Sequence, residues 1–160
     1  MKKYVLSVLL LLLSAMLFSC GTEAEAPRGI LERMVRAGND LPAGTVYDRR
    51  AEKWEDGYMD PAILAELYDL RGYSELSHIE DCALYLSGRY DAPFEIGVFL
   101  CYDEAVAEDV REMCLYRMDF LTRHGAIKEE NAAVMTSGRY VIYVAGAEPA
   151  TAKKLLSAAR

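Results

Sequence analysis

Residues 4–18 form a nearly continuous apolar run of fifteen positions, interrupted only by Ser7 and Ser14. Beyond it the pattern becomes amphipathic. Ile30, Leu31, Met34 and Val35 recur at helical spacing and predict a first helix over residues 28–37, stopped by Gly38-Asn39-Asp40. Residues 41–59 mix charges with Pro42, Gly44 and Gly57, and read as a loop with a short extended piece near residues 45–47. Trp54, the sole tryptophan, is expected to pin this loop to the body. Asp60-Pro61 opens a second helix, with the carboxylate as cap and the proline where its missing N–H does no harm. Its inward stripe is Ile63, Leu64, Leu67 and Tyr68, and Gly72 ends it.

Residues 80–87 and 94–101 read as strands. In the second, Phe94, Ile96, Val98 and Leu100 alternate with Glu95, Gly97, Phe99 and Cys101. Asp103 begins the longest helix, running to about Arg123 with Val106, Val110, Met113, Cys114 and Leu121 inward and Gly125 as its left-handed stop. Two more strands, residues 131–136 and 139–145, flank a tight turn at Ser137-Gly138, and Pro149 opens a last helix. The fold class is therefore α+β: an antiparallel, hairpin-built sheet of about four strands with helices packed on it. The helix–strand–strand pattern occurs twice. Ser87-Gly88-Arg89-Tyr90 recurs as Ser137-Gly138-Arg139-Tyr140, which fits two related helix–hairpin units.

The first apolar run is short for a spanning helix, which needs about 20 residues, and matches an export signal's core of about 7–15. Lys2 and Lys3 precede it, and Leu17-Phe18-Ser19-Cys20-Gly21 closes it. A positive start, an apolar middle, a small residue and then a cysteine form the layout of a bacterial lipoprotein signal. Phe18 is larger than the residue usual there. Residues 1–19 are expected to be a signal peptide, 20–26 a lipidated spacer and 27–160 a single α+β domain. The Cys20 thiol would carry acyl chains such as palmitate. Two chains bury about thirty methylenes at ~0.8 kcal/mol each, and even after heavy discounts the anchor is worth on the order of 20 kcal/mol.

Removing Lys2 and Lys3 with the signal takes the net charge from -7 to -9. So acidic a domain excludes nucleic acid as a partner. Three cysteines remain after Cys20: Cys82, Cys101 and Cys114. Their spacing matches no zinc pattern. They read as small buried apolar residues, or Cys82 and Cys101 form a bridge between adjacent strands in an oxidising compartment.

The lipoprotein start, the Asp60-Pro61 helix running into Leu67-Tyr68, the segment Phe94-Glu95-Ile96-Gly97-Val98-Phe99 and the helix after it form a familiar order. The hairpin Ser137-Gly138-Arg139-Tyr140-Val141-Ile142-Tyr143-Val144 and the closing helix extend it over nearly the whole mature chain. This order resembles domain of unknown function 4358, a bacterial lipoprotein family. The resemblance implies location and architecture and supplies no catalytic residues.

Candidate chemistry is sparse. His78, Glu80, Asp81 and Cys82 form the most ligand-like cluster, but the only other histidine is His124, and no metal or cofactor is expected. No Gly-x-Ser-x-Gly and no phosphate-cradling glycine loop occurs. Adjacent acids at Glu55-Asp56, Asp103-Glu104, Glu108-Asp109 and Glu129-Glu130 read as caps or solvated faces. The strand alternation places Glu95 and Phe99 on the sheet side away from Phe94, Ile96 and Val98, with Tyr85 and Tyr143 joining them. An aromatic sheet face bearing one acid could stack on a sugar or seat an extended peptide. Alternatively the N-terminal helix covers that face and makes it a second core layer.

The expected function is that of an extracytoplasmic lipoprotein tied to the cell membrane through Cys20. Its body would be a non-enzymatic module facing an unknown envelope protein or glycan. The alternatives are an envelope hydrolase using surface carboxylates and an accessory subunit of a transport or secretion complex.

Overall fold

The computed structural model describes residues 24–68, 74–89 and 92–160. The segment expected to be an export signal, Cys20, the expected helix stop at Gly72 and Tyr90 of the first Ser-Gly-Arg-Tyr copy lie outside the described residues.

The capping chemistry acts as its residue types require. Asp60 accepts a hydrogen bond from the Ala62 N–H at 2.8 Å, and Asp103 accepts one from Ala105 at 2.9 Å. The helices are α1 (Pro27–Ala37), α2 (Pro61–Leu67), α3 (Ser74–Ser77), α4 (Ala107–Arg123) and α5 (Pro149–Ala158). A 3₁₀ turn, Glu104–Val106, leads into α4, and another, Glu129–Asn131, leads into the fourth strand. Gly125 takes the left-handed conformation at the end of α4, with φ +69°.

Five strands form one open antiparallel sheet: β1 (Gly44–Asp48), β2 (Ile79–Ser87), β3 (Glu95–Cys101), β4 (Ala132–Ser137) and β5 (Tyr140–Ala145). Their order is β1-β2-β3-β5-β4. The extended piece expected near residues 45–47 is thus a full edge strand, paired with β2 from Gly44↔Ser87 to Asp48↔Ala83. β3 lies at the centre and is buried along its whole length, because it has neighbours on both edges and helices on both faces.

The two Ser-Gly-Arg-Tyr copies build different turns. In the second, Gly138 and Arg139 alone link Ser137 to its partner Tyr140, with Gly138 at φ +55°. In the first, Ser87 is closed instead by Phe94: the Ser87 N–H donates to the Phe94 carbonyl at 2.9 Å, and the Phe94 N–H donates to Ser87 Oγ at 2.9 Å.

The β3 alternation separates two apolar layers. Ile96 and Val98 join Ala83, Tyr85, Ile142 and Val144 under α1 and α5, where Ile30, Leu31, Met34 and Leu155 meet them. Phe99 and Cys101 join Cys82, Leu84, Val141 and Tyr143 on the other side, under Val110, Met113, Cys114 and Leu121 of α4 and beside Leu64 of α2 and Tyr68 at its C-terminal cap. The N-terminal helix therefore covers the Ile96 face and not the Glu95–Phe99 face. Periodicity assigns residues to two sets, but both sets are apolar, so it does not say which helix lies on which.

Trp54 does not pin its loop. Its side chain is 90% exposed, with Lys53 stacked over the ring at 5.7 Å. The loop is held by the backbone instead: the Asp48 N–H donates to Gly57 O at 2.8 Å, and Asp48 and Tyr58 form a parallel bridge.

Candidate functional site

Glu95 is the first residue of β3 and points toward α4, where it is only 4% exposed. A carboxylate in that position requires a partner. It finds one in Arg117, which occupies a core position of α4, four residues after Met113, three after Cys114 and four before Leu121. The guanidinium grips the carboxylate with two bonds, Nη2 to Oε1 at 2.5 Å and Nε to Oε2 at 3.1 Å. Arg117 Nη1 also donates to the Leu67 carbonyl at 3.3 Å, tying the end of α2 to the pair.

Two tyrosines complete the group. The Tyr143 hydroxyl donates to Glu95 Oε2 at 3.0 Å. Its oxygen lies 2.8 Å from the Tyr68 hydroxyl. With the Tyr143 proton committed to Glu95, Tyr68 is the donor of that second bond. Phe99 stacks on Tyr143 at 6.4 Å, and Tyr68 meets the Phe99 ring edge-on at 5.5 Å.

Burial pushes both phenols well above their ordinary range, and the Glu95 charge adds to the rise. Burial opposes the Arg117 charge, yet its hydrogen bond and attraction to Glu95 outweigh that, leaving its pKa above the usual arginine value. Glu95 thus accepts three donors, and both hydroxyls stay protonated at neutral pH. No oxygen of the group is left as a general base, and no phenolate as a nucleophile. The chemistry of the arrangement is to hold α2, α4, β3 and β5 at one fixed geometry.

Of the four residues expected on an outer aromatic face, Glu95, Phe99 and Tyr143 do converge, but as core beneath α4 rather than as a surface. Tyr85 lies on the opposite side of the sheet, because it is paired with Ile96 and shares that residue's face. There its hydroxyl donates to Pro42 O at 2.6 Å. Tyr68 and Arg117 complete the group. Tyr68 was legible only as an inward helix position. The available signal for Arg117 was a lone cation on an apolar helical stripe.

The ligand-like cluster disperses. His78 Nδ1 lies 3.3 Å from Asp109, Glu80 pairs with Arg139 at 3.1 Å, and buried Asp81 pairs with Arg50 at 2.7 Å. A register shift between Ile79 and Asp81 accompanies this divergence. Among the described residues, no group of three or more His, Cys, Asp or Glu side chains is placed to hold a metal ion.

Cys82 and Cys101 are free thiols. Cys82 sits opposite Phe99 and Cys101 opposite Ile79, so the two are diagonal neighbours. Diagonal partners stand about 7–8 Å apart, whereas a bridge needs Cβ atoms about 3.5–4.5 Å apart. Burial pushes Cys82 up to about 12 and Cys101 up to about 11, and raises Cys114 well above the ordinary thiol value.

Comparison with known protein families, with curated proteins and with solved structures finds no match. Among the described residues, no helix is long and apolar enough to cross a membrane.

Proposed function

We propose that this protein is an extracytoplasmic lipoprotein, anchored to the cell membrane through acyl chains on Cys20, whose body is a non-enzymatic binding module of the envelope. The observation that carries the proposal is the segment from Lys2 to Cys20: two cations, a core too short to span, and a cysteine at the cut. The start of the body supports it. Arg33 grips Glu25 with bonds of 2.6 and 3.2 Å, and the Tyr140 hydroxyl donates to Glu25 O at 2.7 Å. The chain is therefore fastened to the body five residues after Cys20, and an acyl group there would hold the body close to the bilayer. The closed Glu95 group supports the non-enzymatic part, since its most reactive-looking side chains engage one another. Kinship with domain of unknown function 4358 belongs to the same proposal and rests on the order of elements.

The test is fractionation with mass spectrometry of the amino-terminal peptide. Wild type should partition with membranes and carry two acyl chains on Cys20. Cys20→Ser should be released to the medium or persist as an uncut precursor. A wild-type amino terminus without acyl mass, or unchanged membrane retention of Cys20→Ser after processing, defeats the proposal.

A further inference from the structure

The two edges of the sheet are finished differently. β1 is covered by its own chain: Gly57 O accepts from the Asp48 N–H, and the Gly57 Cα is so close that a Cβ there would overlap the Val46 carbonyl. Among the described residues, nothing pairs with the outer side of β4. The Gly146 N–H donates to Asn131 O at 2.8 Å, which sets the alternation of the β4–β5 ladder. Ala133, Met135 and Ser137 therefore bond inward to β5, while Ala132, Val134 and Thr136 turn their N–H and C=O groups outward. The strand Ala132-Ala133-Val134-Met135-Thr136-Ser137 has no proline, no charge and an uninterrupted register. These are the devices that ordinarily guard an edge, and β4 lacks them.

A groove of about 430 Å³ runs beside this edge. Its floor includes Ala133 and Met135 of β4 and Ala152 and Leu156 of α5. Lys153 and Arg160 stand on its rim, and among the described residues neither has an ion-pair partner. The acid on the rim, Glu130, already faces Lys128 at 3.8 Å. In a chain of net charge -7, this is a local cationic border on an apolar slot.

We propose that β4 and the α5 groove form a docking site for an extended peptide segment of a partner protein, which adds a strand to β4 and presents carboxylates to Lys153 and Arg160. Main-chain bonds to Ala132, Val134 and Thr136 supply affinity. Every second side chain of the guest lies on the groove face, where Ala133 and Met135 favour apolar groups and the rim cations select acids at other positions of that same face. A second copy of this chain fits less well. Edge-to-edge pairing would bring two α5 helices together on one face, opposing unpaired cations on bodies of equal net charge. The site gives the proposed binding role a place on the body. It does not require acylation, so a failed Cys20 test and a failed peptide test are distinguishable.

The test uses the full-length protein in detergent and a bead library of eight-residue peptides, with threonine fixed at alternate positions and the others, which share one face of an extended strand, drawn equally from Val, Glu and Lys. Captured beads should be enriched in Glu over Lys. A selected peptide should shift and protect the amide signals of Ala132, Val134 and Thr136. Val134→Pro removes one outward N–H without touching the β5 ladder, and should abolish capture while leaving the melting temperature nearly unchanged. Lys153→Glu with Arg160→Glu should weaken binding about tenfold, the worth of two exposed ion pairs. If Val134→Pro unfolds the protein, a selected peptide methylated on its bonding nitrogens should fail in the same way. No capture above background, Lys enrichment, or capture indifferent to all these changes overturns the proposal. Self-association abolished by Val134→Pro, without peptide capture, overturns it in favour of a second copy.

Discussion

Tyr143 lies directly opposite Gly97 on the neighbouring strand, and its ring occupies the space that a side chain at position 97 would fill. A Cβ on Gly97 would also come within 2.9 Å of the Phe99 ring. The missing side chain lets the Tyr143 ring lie across β3 and deliver its hydroxyl to Glu95.

Gly97→Ala should therefore destabilise the protein by about 1–3 kcal/mol through overpacking, although alanine suits a strand no worse than glycine does. Urea unfolding measures it. In a Tyr143→Leu background the penalty should shrink, because the ring that collides is gone. An equal penalty in both backgrounds would show that the cost lies elsewhere.

The Glu95–Arg117 pair should behave as a buried ion pair. Arg117→Met strips buried Glu95 of two of its three donors, and should cost about 3–5 kcal/mol. Glu95→Leu in the same chain should recover much of that, since no uncompensated charge remains. Additive losses in a double-mutant cycle of the two substitutions would contradict the coupling the distances imply.

The three core thiols should be inert in the folded state. Burial has pushed Cys82 to about 12 and Cys101 to about 11, and Cys114 is raised as well, so almost no thiolate exists near pH 8. Iodoacetamide should label none of them in the native protein and all three after unfolding, with the same count with and without reductant. Rapid native labelling of any one, or a count that rises with reductant, contradicts the buried free-thiol assignment.

Asp81 sets a pH dependence. Burial raises its pKa, against the opposing pull of Arg50 and of the Cys82 N–H that it accepts at 2.9 Å. Its folded pKa thus exceeds the unfolded value, and the folded state binds more protons in the window between them. Stability from this group falls as pH rises from the ordinary aspartate range through the shifted value. Relative to Asp81→Asn, the wild type should lose ground over that window. Parallel urea curves at several pH values test this, and the opposite slope would count against it.

Local chemistry was readable where it acts within a few residues. Asp60 caps Ala62, Gly125 takes the left-handed stop, and Ser137-Gly138 marks a hairpin, because each depends on the conformational limits of one or two side chains. The alternation of Ile96 and Val98 against Glu95 and Phe99 was equally plain. That alternation puts Tyr143 and Glu95 together on one face, and the face is core beneath α4, not open surface. A period of two separates faces and carries no information about what covers them.

The chain's own pattern sufficed for an α+β body, its helix starts and its hairpins, along with a leading segment built like an export signal. Such features arise from steric and hydrogen-bonding limits between near neighbours. Folding in three dimensions assigned α4 to the Glu95 face and α1 and α5 to the other. It joined Glu95 to Arg117 across twenty-two residues, set Tyr85 apart from Tyr143, and covered β1 while, among the described residues, leaving the outer side of β4 unpaired. Those outcomes depend on strand order and on competition among apolar faces for one another, and such long-range choices leave no local trace.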